Sequence, residues 1–273
     1  MRVGSYVLGL ASIAAGILDV IWGDFESAHQ PIQAWGDHIP GRQTLAYIAA
    51  AWLIAAGAAI LWRTTARAGA IALAGIYFTF ALFWLPRFST APLVLGYRIP
   101  VYIGVFGGAC TQLIVVAGAV LVSACMLKCG SAWKSALATA RWTFGISSID
   151  FGLTHLTNPR FVAGLIQKWM PLGGEFWAIL SGVAFMLAGL GILSGVLDIL
   201  AARLLALMLL IFNILVLVPL PIINPHDRVA WGANAYNMAA VGATWILVEA
   251  LARCRRERTK EVSSVASFMW RHN

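Results

Sequence analysis

Residues 151–171 read FGLTHLTNPRFVAGLIQKWMP, and this stretch decides the fold. An apolar helix leaves a membrane there through Gly152, Thr154 and His155. The chain breaks at Asn158-Pro159 and resumes as a short amphipathic segment ending at Trp169 and Pro171. Residues 22–40, WGDFESAHQPIQAWGDHIP, form a weaker copy in the first half. A break of this kind, met twice, predicts a duplicated all-α bundle with a cap over each half.

The composition agrees. Apolar residues make up 60% of the 273, charged residues 11%, and the mean hydropathy is +0.82. A soluble domain carries about 25% charged residues. The apolar residues fall in runs close to the roughly 20 residues that cross a bilayer. Eight such runs are expected, at 3–23, 45–62, 66–83, 102–126, 136–156, 176–193, 199–220 and 231–251. The first is longer than the about 7–15 residues of a signal-peptide core and carries Asp19, so it reads as a helix of the mature protein.

Lys and Arg set the expected orientation. With the N-terminus inside, 13 of the 19 basic residues fall on the inner side and six on the outer, so both termini are expected in the cytoplasm. The net charge of +8 is thus mostly a topology signal, and its scatter over helix ends gives no footprint for nucleic acid. The one dense basic run, within the tail 251–273, reads as a stop-transfer anchor and as a contact for anionic lipid. Residues beyond Glu261 are expected to be disordered.

Two halves, 1–127 and 136–250, are joined by an inner linker at 128–135. Gly16 and Gly23 answer Gly145 and Gly152; Pro31 and Pro40 answer Pro159 and Pro171. Ala55-Ala56-Gly57 answers Leu187-Ala188-Gly189, and Leu85-Pro86 answers Val218-Pro219. Four helices per half make these parallel repeats, related by an axis along the membrane normal. In this register Asp19 matches Ser148 and Asp150 matches Ile21, which argues against a symmetric acid pair.

The second half resembles the DoxX-like family of bacterial four-helix membrane proteins, through Gly152, His155, Pro159, Trp169, Pro171 and Ser181-Gly182. The first half resembles a variant of it, through Gly23-Asp24-Phe25, Gln30-Pro31 and Ile39-Pro40-Gly41-Arg42. It departs from the family pattern in lacking a counterpart to His155. The resemblance implies an accessory role in membrane redox or oxidative-stress systems, with a quinone as the implied small molecule and a membrane redox subunit as the implied partner.

Candidate residues follow from polarity in apolar surroundings. Asp19 shares a helix face with Ser12, Gly16 and Gly23, and Asp150 shares one with Ser147 and Thr154. Intramembrane acids usually face the bundle interior and mark function; the alternative is a carboxyl satisfied by its Ser/Thr neighbours. Asn213, in LLIFNILVL, wants a partner on another helix or a ligand headgroup. His29, His38, His155 and His226, with Asp24, Glu26, Asp37, Glu175 and Asp227, are expected at an outer polar vestibule. Their spacing is no metal motif. The segment 160–170 is expected to lie flat as an amphipathic helix of about 16 Å, capped by Asn158, with Trp169 on its apolar side; it is a surface connector or an entry gate.

Cys125 and Cys129 stand one turn apart at the inner side, where packing is a commoner role than redox pairing. No outer C-x-x-C, haem site or nucleotide loop occurs in a usable context. No motif assigns a reaction. The sequence therefore leads to a lipid-soluble ligand held between the halves, with Asp19, Asp150, His155, Asp24, Trp169 and Asn213 as candidates. A transporter of small molecules or lipids, or a structural membrane protein, is the competing expectation.

Overall fold

A computed structural model describes residues 2–30, 39–125 and 130–271. The described residues are helical throughout, with short connections. In chain order the elements are α1 (Arg2–Trp22), α2 (Arg42–Leu61), α3 (Ala66–Leu82), α4 (Arg87–Leu95), α5 (Ile99–Cys125) and α6 (Ser131–Thr157). Then come α7 (Pro159–Leu165), α8 (Gly174–Ser194), α9 (Asp198–Phe212), a π-helical turn (Asn213–Leu217), α10 (Pro219–Ile223) and α11 (Arg228–Arg271).

Among the described residues, six helices are long and apolar enough to cross a membrane, and a seventh span forms if α3 and α4, bent by 42°, count as one. The expectation was eight. The difference lies in α6, which has the length but carries Lys134, Arg141, Ser147, Ser148, Asp150 and Thr154. Of these, Ser147, Ser148 and Asp150 are buried inside the bundle and Lys134 is exposed at the helix start, so the helix fails a test of composition while occupying a place in the packing.

The long helices close a ring. α1 packs on α2, α2 on α3, α3 on α5, α5 on α6, α6 on α8, α8 on α9, α9 on α11, and α11 returns to α1. α5 and α11 also meet across the middle, where a methyl added at Gly118 would lie 2.6 Å from the Ala243 side chain. The core is mostly Ala, Leu, Ile and Phe, and exposed apolar side chains cover the outside of the ring.

Glycine sets the closest approaches. A side chain at Gly57 would lie 2.6 Å from the Gly9 carbonyl, and one at Gly16 would lie 2.7 Å from the Ala50 carbonyl. On the other side of the ring, one at Gly189 would lie 2.7 Å from the Gly145 carbonyl, and one at Gly152 would lie 2.8 Å from the Gly182 carbonyl. Helix association in lipid relies on such backbone contact, since lipid tails are as apolar as leucine. Gly9 and Gly16 approach α2 as Gly145 and Gly152 approach α8, the two glycines standing seven residues apart in each case. Asp19 and His155 then each fall three residues after the second glycine.

Three local expectations are corrected. The helix over 160–170 ends at Leu165, because Ile166 is extended. Val162 and Ile166 face inward, while Phe161 and Trp169 point outward at 63% and 65% exposure. Pro159 does open this helix, yet the Asn158 side chain makes no capping bond. The tail is helical through Arg271, continuing α11, where disorder beyond Glu261 was expected. Pro31, Trp35, Asp37, His38, Lys128 and Cys129 lie outside the described residues.

Candidate functional site

The end of the ring where α1 finishes and α5 begins will be called the cap end. Gly23, at φ +60°, terminates α1 in the left-handed conformation that glycine adopts without cost. The chain then doubles back, and residues 24–30 fold over the bundle. The Glu26 N–H donates to Asp19 Oδ1 at 2.6 Å, tying the cap to the helix it just left.

Two arginines hold the cap from outside. Arg42 donates to both carboxylate oxygens of Asp24, at 2.8 and 3.1 Å. Arg228, at the start of α11, donates to Asp24 Oδ2 at 3.0 Å and to the Phe25 carbonyl at 2.8 Å. Burial alone would raise the Asp24 carboxyl, but the bonds from Arg42 and Arg228 outweigh it and hold the group below the usual carboxylate range. On the far side, Arg87 stacks over the Trp84 ring at 4.0 Å and donates to the Gln30 carbonyl at 3.0 Å. The Trp84 indole donates to the Ala28 carbonyl at 3.2 Å.

Beneath this clamp lies a cluster of buried polar side chains. Glu26 is 5% exposed; it accepts from the Ser27 hydroxyl and the Ala28 N–H. Burial pushes its carboxyl up. His29 is 1% exposed, stacked on Phe80 at 4.1 Å and edge-on to Tyr77 at 5.4 Å. Burial pushes its imidazole down to about 3, so it is neutral. Its Nδ1 sits 3.8 Å from Glu26 Oε2, too far for a hydrogen bond. Gln112, from α5, donates to the Ala28 carbonyl at 3.3 Å. From α11, Gly232 packs against the Glu26 carboxyl.

What distinguishes this cluster is what its atoms lack. Asp19 Oδ2, both ring nitrogens of His29, the Tyr77 hydroxyl and Gln112 Oε1 are buried with no hydrogen-bond partner. A buried group left unpartnered costs about 1–3 kcal/mol, and here several meet in one place. The set mixes donors and acceptors.

Asp150 lies in a second polar patch, against Gly107 of α5 and near Cys110, Ser147 and Thr154. Asp150 Oδ2, Ser148 Oγ and Thr154 Oγ1 are likewise unpartnered. The remaining candidates sit apart. His155 donates through Nδ1 to the Phe151 carbonyl at 2.7 Å and packs on Phe185 at 5.2 Å. Trp169 is at the surface. Asn213 accepts from Asn237 of α11 at 3.1 Å, inside the π-turn that Val218 N–H closes onto the Asn213 carbonyl; this is helix-to-helix bonding.

The structure thus joins Asp19 and Asp24 at one cap and leaves His155, Trp169 and Asn213 elsewhere. Glu26 and His29 were expected in an open aqueous vestibule; both are core residues, because the cap turns inward. His226 and Glu175 are exposed. Arg228 and Tyr77 were not foreseen as members of the site. A period-3.6 reading of α3 could have placed Tyr77 and Phe80 on the inner face, but nothing local ties them to His29. Among the described residues, no group of three His, Cys, Asp or Glu side chains is placed to hold a metal ion.

An apolar groove of about 750 Å³ runs between α8 and α9, away from this cluster. It extends from Ile166, Met170 and Trp177 at the cap end to Val196 and Leu197 at the opposite end. No protein-family model, curated protein or solved structure matches the chain.

Proposed function

We propose that the chain is a membrane-embedded binding protein of two DoxX-like four-helix halves, holding a lipid-soluble molecule with a polar head at the seam between them. The observation that carries this reading is the convergence of unpartnered buried atoms from Asp19, His29, Tyr77 and Gln112 beneath the Asp24 clamp. A carbonyl- or hydroxyl-bearing ring, such as a quinone, would satisfy donors and acceptors together. The cluster draws on α1, α3 and α5 of one half and is closed by α11 of the other. Ligands commonly sit where repeats meet.

The two-half reading is supported by the ring itself. Each half would contribute the same order of neighbours, with α1, α2, α3 and α5 matching α6, α8, α9 and α11. Glycine contacts repeat at α1–α2 and α6–α8. In this correspondence the polar positions Asp19 and His155 are equivalent, so the first half has a counterpart to His155 after all. The cap end would face outward, with both termini cytoplasmic, following the excess of Lys and Arg at the other end. No haem or nucleotide-binding motif occurs in the sequence, so a redox role would draw its electrons from a partner subunit in the bacterial inner membrane.

The test is extraction. Protein purified in mild detergent should carry a lipid-soluble molecule identifiable by mass spectrometry, and Asp19→Asn or Gln112→Leu should cut the amount retained at least fivefold. Equal retention in both variants, or none in the wild type isolated from native membranes, would sink the proposal.

A second reading rests on the α8–α9 groove. Its walls are apolar along the height of the bundle, so it would hold acyl chains as a structural lipid site while offering a crossing headgroup no polar track. Phospholipid that co-purifies with the protein and is lost on Ala188→Trp, with no acceleration of phospholipid flip in vesicles, would favour it.

A further inference from the structure

A second cavity, of about 890 Å³, opens at the end of the ring opposite the caps. It lies where α11 meets α1, and it also reaches α2, α5 and α9. Its walls differ from those of the α8–α9 groove in one respect: they combine an apolar floor with a basic rim. Ile60, Leu61, Val122 and Val248 line the floor. Arg63, Arg203, Arg253 and Arg256 stand around it, with Glu249 the acid among the lining residues.

The pairing of these charges is unequal. Arg253 is engaged, donating to Glu257 at 2.9 Å and to the Cys125 carbonyl at 3.2 Å. Its guanidinium also stands over the Trp133 ring at 5.0 Å. Arg63, Arg203 and Arg256 have no carboxylate partner among the described residues, and they come from three separate parts of the chain. Elsewhere at this end Arg255 donates to Asp198 at 2.9 Å, and Arg141 lies 3.8 Å from the same carboxylate, while Arg67, outside the cavity, has no carboxylate partner among the described residues. Three guanidinium groups left unpaired around one cavity therefore form a surplus of positive charge at one place.

Tyr6 and Trp245 line the same cavity and are partly exposed. Aromatic side chains of this kind favour the level of lipid headgroups, where one part of the ring is apolar and another wet. The opening thus lies where a headgroup would stand if the apolar ring spans a bilayer.

We infer that this cavity binds the phosphate headgroup and upper acyl chains of one anionic phospholipid. The phosphate sits among Arg63, Arg203 and Arg256, each able to offer planar paired N–H donors to its oxygens. The acyl chains lie against Ile60, Leu61 and Val248. Free phosphate would use the rim alone and leave the floor bare, and a zwitterionic lipid would use the floor but bring a second, repelled cation. Basic pockets between helices at a cytoplasmic face bind anionic headgroups by this combination. The site also ties together three separated parts of the chain, so occupancy would bridge α11 to α9 and to the end of α2.

Native mass spectrometry on delipidated full-length protein tests the inference. Phosphatidylglycerol should bind at one saturable site, at least tenfold tighter than phosphatidylcholine with the same chains. Inorganic phosphate at millimolar concentration should fail to displace it. Arg63→Gln/Arg203→Gln should weaken phosphatidylglycerol about thirtyfold, each cation contributing near the surface as basic residues do beside anionic lipid. Arg67→Gln/Lys134→Gln removes the same charge at the same end outside the cavity and should leave binding within twofold. Equal binding of the two lipids, displacement by inorganic phosphate, or equal weakening by the two double variants would each overturn it.

Discussion

Replacing His29 with leucine separates the cost of a buried imidazole from everything else that titrates at the cap. In the folded chain burial holds the imidazole at about 3, against about 6.5 in an unfolded chain. A depressed folded value means that the unfolded state takes up the proton first. The associated stability is complete above about pH 6.5 and declines as pH falls toward 3. Between pH 7.5 and pH 5 the loss is about 2 kcal/mol, from 1.5 pH units below the unfolded value at about 1.36 kcal/mol each. Glu26 works in the opposite direction, because its raised carboxyl makes acid conditions favourable to the fold. That contribution is present in both proteins, so the difference between them isolates His29. Leucine has nearly the volume of histidine, keeps contact with Phe80, and removes two unpartnered nitrogens, so the variant should equal or exceed the wild type at pH 7.5. The assay is thermal unfolding in one detergent from pH 7.5 to pH 5, followed by tryptophan fluorescence. Parallel curves for the two proteins would refute the burial of a neutral imidazole.

Other expectations follow from the same geometry. Asp24→Asn releases Arg42 and Arg228 together and should cost about 1–3 kcal/mol, between the values for exposed and buried pairs; because the folded carboxylate titrates below the unfolded one, the deficit should begin to shrink only below about pH 4 and vanish once the pH falls through the lowered folded value, as a thermal-unfolding series at falling pH would record. Gly57→Ala and Gly189→Ala should each lower the melting temperature by several degrees, because the added methyl meets a carbonyl of the neighbouring helix. Gly104→Ala meets nothing within 4 Å and should be neutral or mildly stabilising in the same assay. Asn237→Leu should cost about 0.6–1.7 kcal/mol, the range for interhelical bonds in membranes, and a double-mutant cycle with Asn213→Leu should recover most of that as coupling.

The parts of this fold that the sequence made legible are those set by local period. Ser12, Gly16 and Asp19 share a face by spacing alone, and Ser12 and Asp19 are buried side by side in the interior. Ser147 and Asp150 behave the same way. The break at Asn158-Pro159 is also local, since proline fixes its own backbone angle and cannot continue a helix. The cap cluster was not legible, for a physical reason. Glu26 and His29 lie in a loop, where polar residues meet water by default, and only contacts with Tyr77, Phe80, Gln112 and Gly232 reverse that default. Which glycines meet a neighbouring helix was not legible either: a spacing of seven recurs along α1 to its end, at Gly9, Gly16 and Gly23, and only the fold shows that Gly9 meets Gly57. The run at 136–156 was legible as a helix, but its Ser147, Ser148 and Asp150 are turned inward, which a local reading of apolar length does not weigh.

The clamp on Asp24 has a consequence for how the chain is made. Arg42 follows Asp24 by 18 residues and reaches it as soon as the second helix enters the membrane. Arg228 follows by 204. At about 5–20 residues per second, a ribosome needs some 10–40 s to deliver it. Through that interval Asp24 is held by Arg42 alone, and the acid cluster below it lacks the wall that Gly232 supplies. Closure of the polar centre therefore waits for the last long helix, and a chain truncated before residue 228 should insert its early helices yet never close its centre.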